Sequence, residues 1–336
     1  NPNCKAIRGV KPKEYKSHFR YDFNDPLAFL DAFDINKSEL YNDGDSLIHC
    51  NYLFRGHYDS EWKLQPSLYR QDKGETDVDY KKRVHSYKQI DEFFHEEMDL
   101  FSRYIKGLNS LDYFISEGSF KIMNAANKID FLNGTNNKLF EFYPSFPNDD
   151  QLIELALAQH HGIKTRLLDF TESPYNAIFF ASECAFPYEE INEEVGKKIG
   201  VWIIPKLLIE AVQQSRYMKL IETKKFQNKN LSAQNGVFIN YYPPLDFFKG
   251  DTELRRRNYF LDIQHTLDDL LTADFNSTLK KIINEIIGKP MLFTLPHKEL
   301  LSVSRKLEQL GINWSSLMPS LHGLKIEIDR QMNRIG

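Results

Sequence analysis

Residues 157–181 read LAQHHGIKTRLLDFTESPYNAIFFA, and how this stretch divides decides the fold around it. Upstream, QLIELALAQHH has the apolar spacing of a helix, with Asp149 or Asp150 as N-cap and Gly162 as the residue just past its C-terminus. Downstream, Ser173 precedes Pro174 and the apolar run PYNAIFFASECAF, the pattern of an N-cap followed by proline at the first helical position. Between the two helices the sequence predicts a polar loop. That loop holds Arg166, Asp169, Thr171, Glu172 and Ser173 within eight residues, directly after the pair His160 and His161. Different chemical types gathered on a loop and the adjoining helix ends are how sites for polar ligands are built.

Several chemistries compete for this cluster. A metal site needs side chains that converge, whereas adjacent residues of a helix diverge by about 100°. No HExxH pattern or cysteine partner lies near His160 and His161, so no metal is expected. A serine hydrolase would set Ser173 in a G-x-S-x-G elbow, which is absent. In the purely structural alternative, Asp169 accepts loop N–H groups, Arg166 pairs with it or with a neighbouring carbonyl, and Thr171 or Ser173 caps the next helix. That alternative leaves Gln159, His160 and His161 without a task.

Two further stretches carry polar chemistry. In LFRGHYDSEWKLQPSLYR, residues 53–70, Arg55 follows a β-leaning run from Ile48 to Phe54 and precedes Gly56. An arginine at a strand end suits bidentate grip of a phosphate or carboxylate, and the glycine allows close approach of backbone or ligand. The bland alternative is an internal salt bridge. Trp62 and Tyr69, on either side of Pro66, supply either a platform for a flat ring or simply core. In NLSAQNGVFI, residues 230–239, Gln234 stands just ahead of a glycine turn into an apolar strand, which alone is only a turn and a strand. The run Arg255, Arg256, Arg257 reads as solvated surface.

Elsewhere, PLAFLDAF at 26–33 is a short helix opening at Pro26 with Asp25 as N-cap. From Asp77 to Ile105 there is no glycine or proline, and Val84, Tyr87, Ile90, Phe93, Phe94, Met98 and Phe101 recur at helical spacing. This is a long amphipathic helix whose charged remainder reads as its solvated face. GVWIIP, GVFINYY, RNYFLDI and PMLFTL read as strands, and helices are expected at 206–215, 277–287, 297–310 and 314–325. Strands and helices mix without βαβ repetition, which predicts an α+β domain.

The 336 residues carry 43 basic and 47 acidic side chains, a formal charge of −4, so no global field attracts a polyanion or an anionic membrane. Cys4, Cys50 and Cys184 are scattered without C-x-x-C spacing, which fits a reducing, cytoplasmic setting better than a disulfide framework. NPNCKAIRGVKPKEYK has no apolar core of signal-peptide length and no window approaches a membrane span, so a soluble protein with no membrane partner is expected.

Taken together, LFRGHYDSEWKLQPSLYR, LALAQHHGIKTRLLDFTESPYNAIFFA, LSAQNGVFI and LEQLGINWSSLMPSLHGLKIEI resemble the FRG-domain family, named for its Phe-Arg-Gly motif. The family's polar positions fall on Arg55, Gly56, Gln159, His160, Gly162, Thr165, Arg166, Asp169, Thr171, Ser173 and Gln234. Lys164 stands where the family often has proline, and His161 where it often has an aromatic. The resemblance implies an FRG domain over 46–325, preceded by an N-terminal segment at 1–45 packed on it and followed by a tail at 326–336.

The order LFRG, LLDFTESPYNAIFFA, AQNGVFI is in turn similar to that of ADP-ribosyltransferases, which implies a central split sheet with surrounding helices and NAD as co-substrate. Under that resemblance Arg55, Gly56, Gln159, Arg166, Thr171 and Ser173 bind NAD, while Arg55, His160, Asp169 and Gln234 form the catalytic set with Asp169 as carboxylate. A glutamate two residues after Gln234 is replaced here by Gly236. The implied function is a toxin or anti-phage defence effector that modifies RNA, DNA or protein and answers to an antitoxin or other regulatory partner. A non-catalytic nucleotide-sensing or nucleic-acid-binding module is the alternative. A nuclease or other hydrolase is a weaker one, because the polar block supplies only Asp169 and Glu172 as carboxylates for Mg²⁺.

Overall fold

The computed structural model describes residues 5–41, 51–71, 74–76, 79, 90–126, 146–183, 196–213, 218–222, 233–241 and 281–333. Among them, short β-branched and aromatic runs form eight strands: β1 (Lys13–Glu14), β2 (Phe19–Asp22), β3 (Tyr52–His57), β4 (Leu167–Thr171), β5 (Lys198–Pro205), β6 (Met218–Ile221), β7 (Gly236–Tyr241) and β8 (Met291–Pro296). They lie in one mixed sheet of order β1-β2-β8-β5-β3-β4-β7-β6, with β2 and β8 parallel and β5 antiparallel to both β3 and β8. The near-continuous apolar sequence of β5 follows from its place. It pairs over six residues on each side, and seven of its eight residues are buried. The sheet is far weaker one strand further on, where β3 and β4 share the single pair Phe54 with Thr171.

The helices among the described residues are α1 (Pro26–Asp31), α2 (Ile90–Ser110), α3 (Glu117–Ala126), α4 (Asp149–His160), α5 (Pro174–Glu183), α6 (Lys206–Gln213), α7 (Leu300–Gln309), α8 (Trp314–Leu317) and α9 (Leu321–Asn333). The architecture is α+β, as the element order predicts. No described helix is long and apolar enough to cross a membrane.

The chain separates into two compact units, with boundaries inside β4 and β7. The first comprises Asn1–Lys63, Asp169–Ile239 and Leu267–Gly336. Its core gathers Phe23, Phe29, Phe33 and Phe293, whose rings meet at centroid distances of 5.2–5.7 Å in the edge-on and tilted geometries that aromatic quadrupoles favour. α5 packs on β3 and β5, and α7 packs on α5 and α1. The segment expected to end as a tail at 326–336 continues the helix α9 as far as Asn333. It is anchored by Arg330, 2% exposed, which pairs with the Glu183 carboxylate at 2.6 Å. Trp314 Nε1 donates to the same carboxylate at 2.9 Å.

The second unit comprises Leu64–Leu168 and Asn240–Thr266. In it α2, α3 and α4 pack mutually. Ser116 and Ser119 donate their hydroxyls to the buried Glu154, which also accepts from the Ser116 N–H at 2.6 Å.

Several local expectations change. The loop foreseen between α4 and α5 contains strand β4, because Leu167, Leu168, Phe170 and Thr171 are buried in the sheet and Asp169 alone is exposed. The N-terminal segment contributes β1 and β2 to the sheet, and β6 was not expected from the sequence. β3 runs through Gly56 to His57 instead of stopping at the glycine. The N-cap of α4 is Asn148, ahead of the expected Asp149 or Asp150, in a reciprocal capping box with Gln151. The charged positions of the long helix are not all solvated, since Glu97 is 2% exposed. Asp25 caps α1 as foreseen. The expected strand RNYFLDI and most of 77–89 lie outside the described residues.

Candidate functional site

Where β3 and β4 share one residue pair, a cavity of about 280 Å³ opens. Arg55 and Gly56 line it from β3, Asp169 and Thr171 from β4, and Gln234 from the turn that leads into β7. Phe170, Phe180 and Phe238 supply its apolar wall. All of these residues belong to the first unit.

Arg55 carries the charge. Its Nη1 donates to the backbone carbonyl of Asp169 at 2.5 Å and its Nε donates to His57 Nε2 at 3.1 Å. Asp169 Oδ2 stands 3.8 Å from Nη1, and the Asp169 side chain is 60% exposed against 14% for Arg55. The cavity therefore has a cation set into its wall and a carboxylate at its rim. Gly56 allows the wall to exist, since a Cβ there would sit 1.9 Å from the Ala177 carbonyl oxygen of α5. The close approach anticipated at this glycine is that of a helix backbone.

Thr171 and Gln234 meet as well. The Thr171 hydroxyl donates to the Gln234 carbonyl at 2.6 Å, and Asn176 Nδ2 donates to the same carbonyl at 2.9 Å. Gln234 Nε2 donates to the Leu317 carbonyl at the end of α8, at 3.1 Å. The turn is closed by Asn235 in the left-handed region, φ 47°, whose carbonyl accepts from the Glu172 N–H at 3.1 Å. Gln234 is thus fixed at both its backbone and its side chain. Ser173 caps α5: its carbonyl accepts from Ala177 N–H and its hydroxyl from Asn176 N–H at 3.4 Å.

Gln159, His160 and Arg166 belong to the second unit and do not line this cavity. Gln159 Oε1 accepts a short hydrogen bond from the Thr165 hydroxyl, which also accepts from Leu167 N–H. Arg166, expected to bind cofactor, is 2% exposed and closed in a two-pronged pair with Glu97, its guanidinium 5.5 Å from the Phe146 ring centre. The carboxylate it pairs with is that of Glu97, 69 residues earlier on α2, and not the Asp169 expected from the sequence. His160 ends α4 exposed, with its ring edge-on to His161 at 5.4 Å. Gly162 takes φ +81°, the left-handed conformation expected just past a helix end. Of the proposed aromatic platform, Trp62 is exposed and Tyr69 buried. Arg255, Arg256 and Arg257 lie outside the described residues. Among the described residues no group of three or more His, Cys, Asp and Glu side chains could hold a metal ion.

Three contributors escaped the sequence reading. His57 follows Arg55 at the two-residue spacing that puts both side chains on one face of a strand, and that spacing could have flagged it. Asn176 hides inside an apolar helical run, where a lone buried amide is itself a signal. Phe180 had no signal separating it from the core phenylalanines around it.

Compared with known families, residues 116–190 match the family model of the FRG domain. The matched span includes β4 and α5 and ends short of the Gln234 turn, while the Phe-Arg-Gly tripeptide at 54–56 precedes it. No curated protein and no solved structure matches the chain.

Proposed function

From the premise that the chain carries an FRG domain, we propose that the cavity binds the nicotinamide-ribose end of NAD and that the protein transfers ADP-ribose to a macromolecule. The observation that carries this reading is the pairing of Arg55 and Asp169, 3.8 Å apart, in the wall and rim of one cavity with an aromatic lining. A volume of about 280 Å³ lies at the small end of ligand pockets, suited to a ring and its sugar more than to a whole dinucleotide. Arg55 then grips the diphosphate at the cavity edge as a charge-assisted donor. In the reaction the C1′–N bond breaks with its electron pair passing to nicotinamide, and an acceptor oxygen or nitrogen bonds to C1′ and loses its proton. Asp169 stabilises the oxocarbenium-like charge at C1′ and takes that proton. The narrow β3–β4 junction supports reading the sheet as split at the cavity, in the ADP-ribosyltransferase manner.

RNA, DNA and protein are the candidate acceptors, and a cytoplasmic toxin or anti-phage effector held by a regulatory partner is the proposed setting. Incubation of the purified protein with labelled NAD and each acceptor class tests it. Label should pass to one class and vanish with Arg55→Ala, in a variant shown by circular dichroism to remain folded. Absence of transfer to any class removes the enzyme reading. One observation favours a second reading, a nucleotide-binding module without turnover. Gln234 is fixed by Leu317, Thr171 and Asn176, and Gly236 leaves that turn without a carboxylate. NAD binding with no transfer identifies that case.

A further inference from the structure

We infer that His57 is the positioning residue for Arg55, acting as a neutral acceptor that aims the guanidinium without neutralising it. This rests on the reading of Arg55 as the anion-binding group, and it adds how that group is held. Arg55 and His57 lie two residues apart on β3, opposite Trp202 and Gly200 of β5, so they project from the same face of the strand. His57 is 4% exposed, and its Nε2 receives the Arg55 Nε–H at 3.1 Å. On the other side Nη1 donates to the Asp169 carbonyl at 2.5 Å. A planar guanidinium engaged at Nε and Nη1 is fixed in both direction and tilt.

The chemistry of the acceptor matters. A ring nitrogen that receives a hydrogen bond carries no proton, so His57 is neutral with its proton on Nδ1. A carboxylate at this position would also orient Arg55, but it would cancel the charge that an anionic ligand needs. An imidazolium would present a second donor and a second cation to Nε–H. A buried neutral acceptor avoids both, and it orients Arg55 beside the rim carboxylate of Asp169, 3.8 Å from Nη1, without adding a second negative charge.

Two measurements on the whole chain test this. The first is ¹⁵N NMR of histidine-labelled protein at neutral pH, which reports the tautomer of His57 directly. The expected result is an unprotonated Nε2 that shifts toward Nε2–H in Arg55→Ala; a proton on Nε2 in the parent protein overturns the inference. The second compares NAD affinity in His57→Gln, which keeps an acceptor oxygen, with His57→Leu, which does not. The leucine variant should bind about tenfold more weakly and the glutamine variant within about threefold of the parent, the difference that a hydrogen bond to a charged group makes. Equal affinities in leucine, glutamine and parent proteins overturn the positioning role. If the parent binds no NAD but shows the Arg55-dependent tautomer, the positioning of Arg55 stands and only the choice of ligand falls. The NMR arm needs no His57 variant to fold.

Discussion

Two arginines from motif-like stretches end in opposite circumstances. Arg166 is 2% exposed and meets both oxygens of Glu97, which is 2% exposed itself, so its charge is spent inside the second unit. Arg55, in the first unit, is held by a carbonyl and an imidazole, with its carboxylate neighbour 3.8 Å away. A carboxylate that saturates a guanidinium makes it part of the structure. Neutral acceptors orient a guanidinium and leave its field to act on a ligand.

The sharpest way to break the contrast is to remove the carboxylate from the saturated pair. Glu97→Ala leaves a buried, uncompensated guanidinium and should lower stability by about 3–5 kcal/mol in urea denaturation. Replacing Glu97 and Arg166 together by leucine and methionine should recover most of that loss, because the penalty comes from the stranded charge and not from the bond. A near-neutral Glu97→Ala would mean that Arg166 is as loosely committed as Arg55.

Next in size is the support behind Arg55. Gly56→Ala drives a methyl to 1.9 Å from the Ala177 carbonyl oxygen, so β3 and α5 must separate. A loss of roughly 2–3 kcal/mol is expected from such overpacking, together with weakened NAD binding as Arg55 shifts. Unchanged stability would show that the strand and helix separate freely.

Arg20 lies between the extremes. It donates to Asp22 at 3.0 Å and to Glu61 at 2.7 Å, in a partly exposed network of the first unit. Burial raises the Asp22 pKa, but hydrogen bonds from Lys13, Thr294, Lys198 and Arg20 outweigh it and hold the carboxyl well below its ordinary value of 3.8. A depressed carboxylate stabilises the fold fully above its unfolded pKa and loses that contribution as pH falls toward its folded one. Stability should therefore fall as pH is lowered below about 4, by less than the full shift would give because solvent screens this partly exposed network. Asp22→Asn should be less stable at neutral pH and flatter across that range, read from denaturation midpoints against pH.

The same contrast explains what was legible beforehand. Local signals revealed their own elements: Asp25 before Pro26, Ser173 before Pro174, Gly162 after a helix, the apolar run of β5. The family resemblance, and not those local signals, joined Arg55, Asp169, Thr171 and Gln234 from stretches far apart in sequence, and all four line one cavity. What stayed hidden was set by partners at long range. Glu97 looks like one more charge on an amphipathic helix until Arg166, 69 residues on, arrives beside it. Leu167 to Thr171 reads as loop because Gly162 and Pro174 punctuate it closely, yet its place in the sheet between β3 and β7, with four of its five residues buried, overrides that local preference. Gln159 and Thr165 looked like site residues because polar pairs that brace a loop have the same composition as polar pairs that bind a ligand.

The smallest stability effect is the most informative about chemistry. Asp169 is 60% exposed and 3.8 Å from Arg55, a geometry in which surface ion pairs contribute about 0–1 kcal/mol. Asp169→Asn should change stability by no more than about 0.5 kcal/mol. It also removes a negative charge that competes with phosphate for Arg55, so NAD should bind as well as before or more tightly. If Asp169 stabilises the oxocarbenium, ADP-ribose transfer should nevertheless fall by about a hundredfold or more, a loss confined to turnover. Tight binding with lost turnover would separate the two halves of the pair, Arg55 holding the ligand and Asp169 acting on it. Transfer that survives Asp169→Asn but fails in Glu172→Gln would move the carboxylate three residues along the chain, to the group whose backbone already grips the Gln234 turn through Asn235.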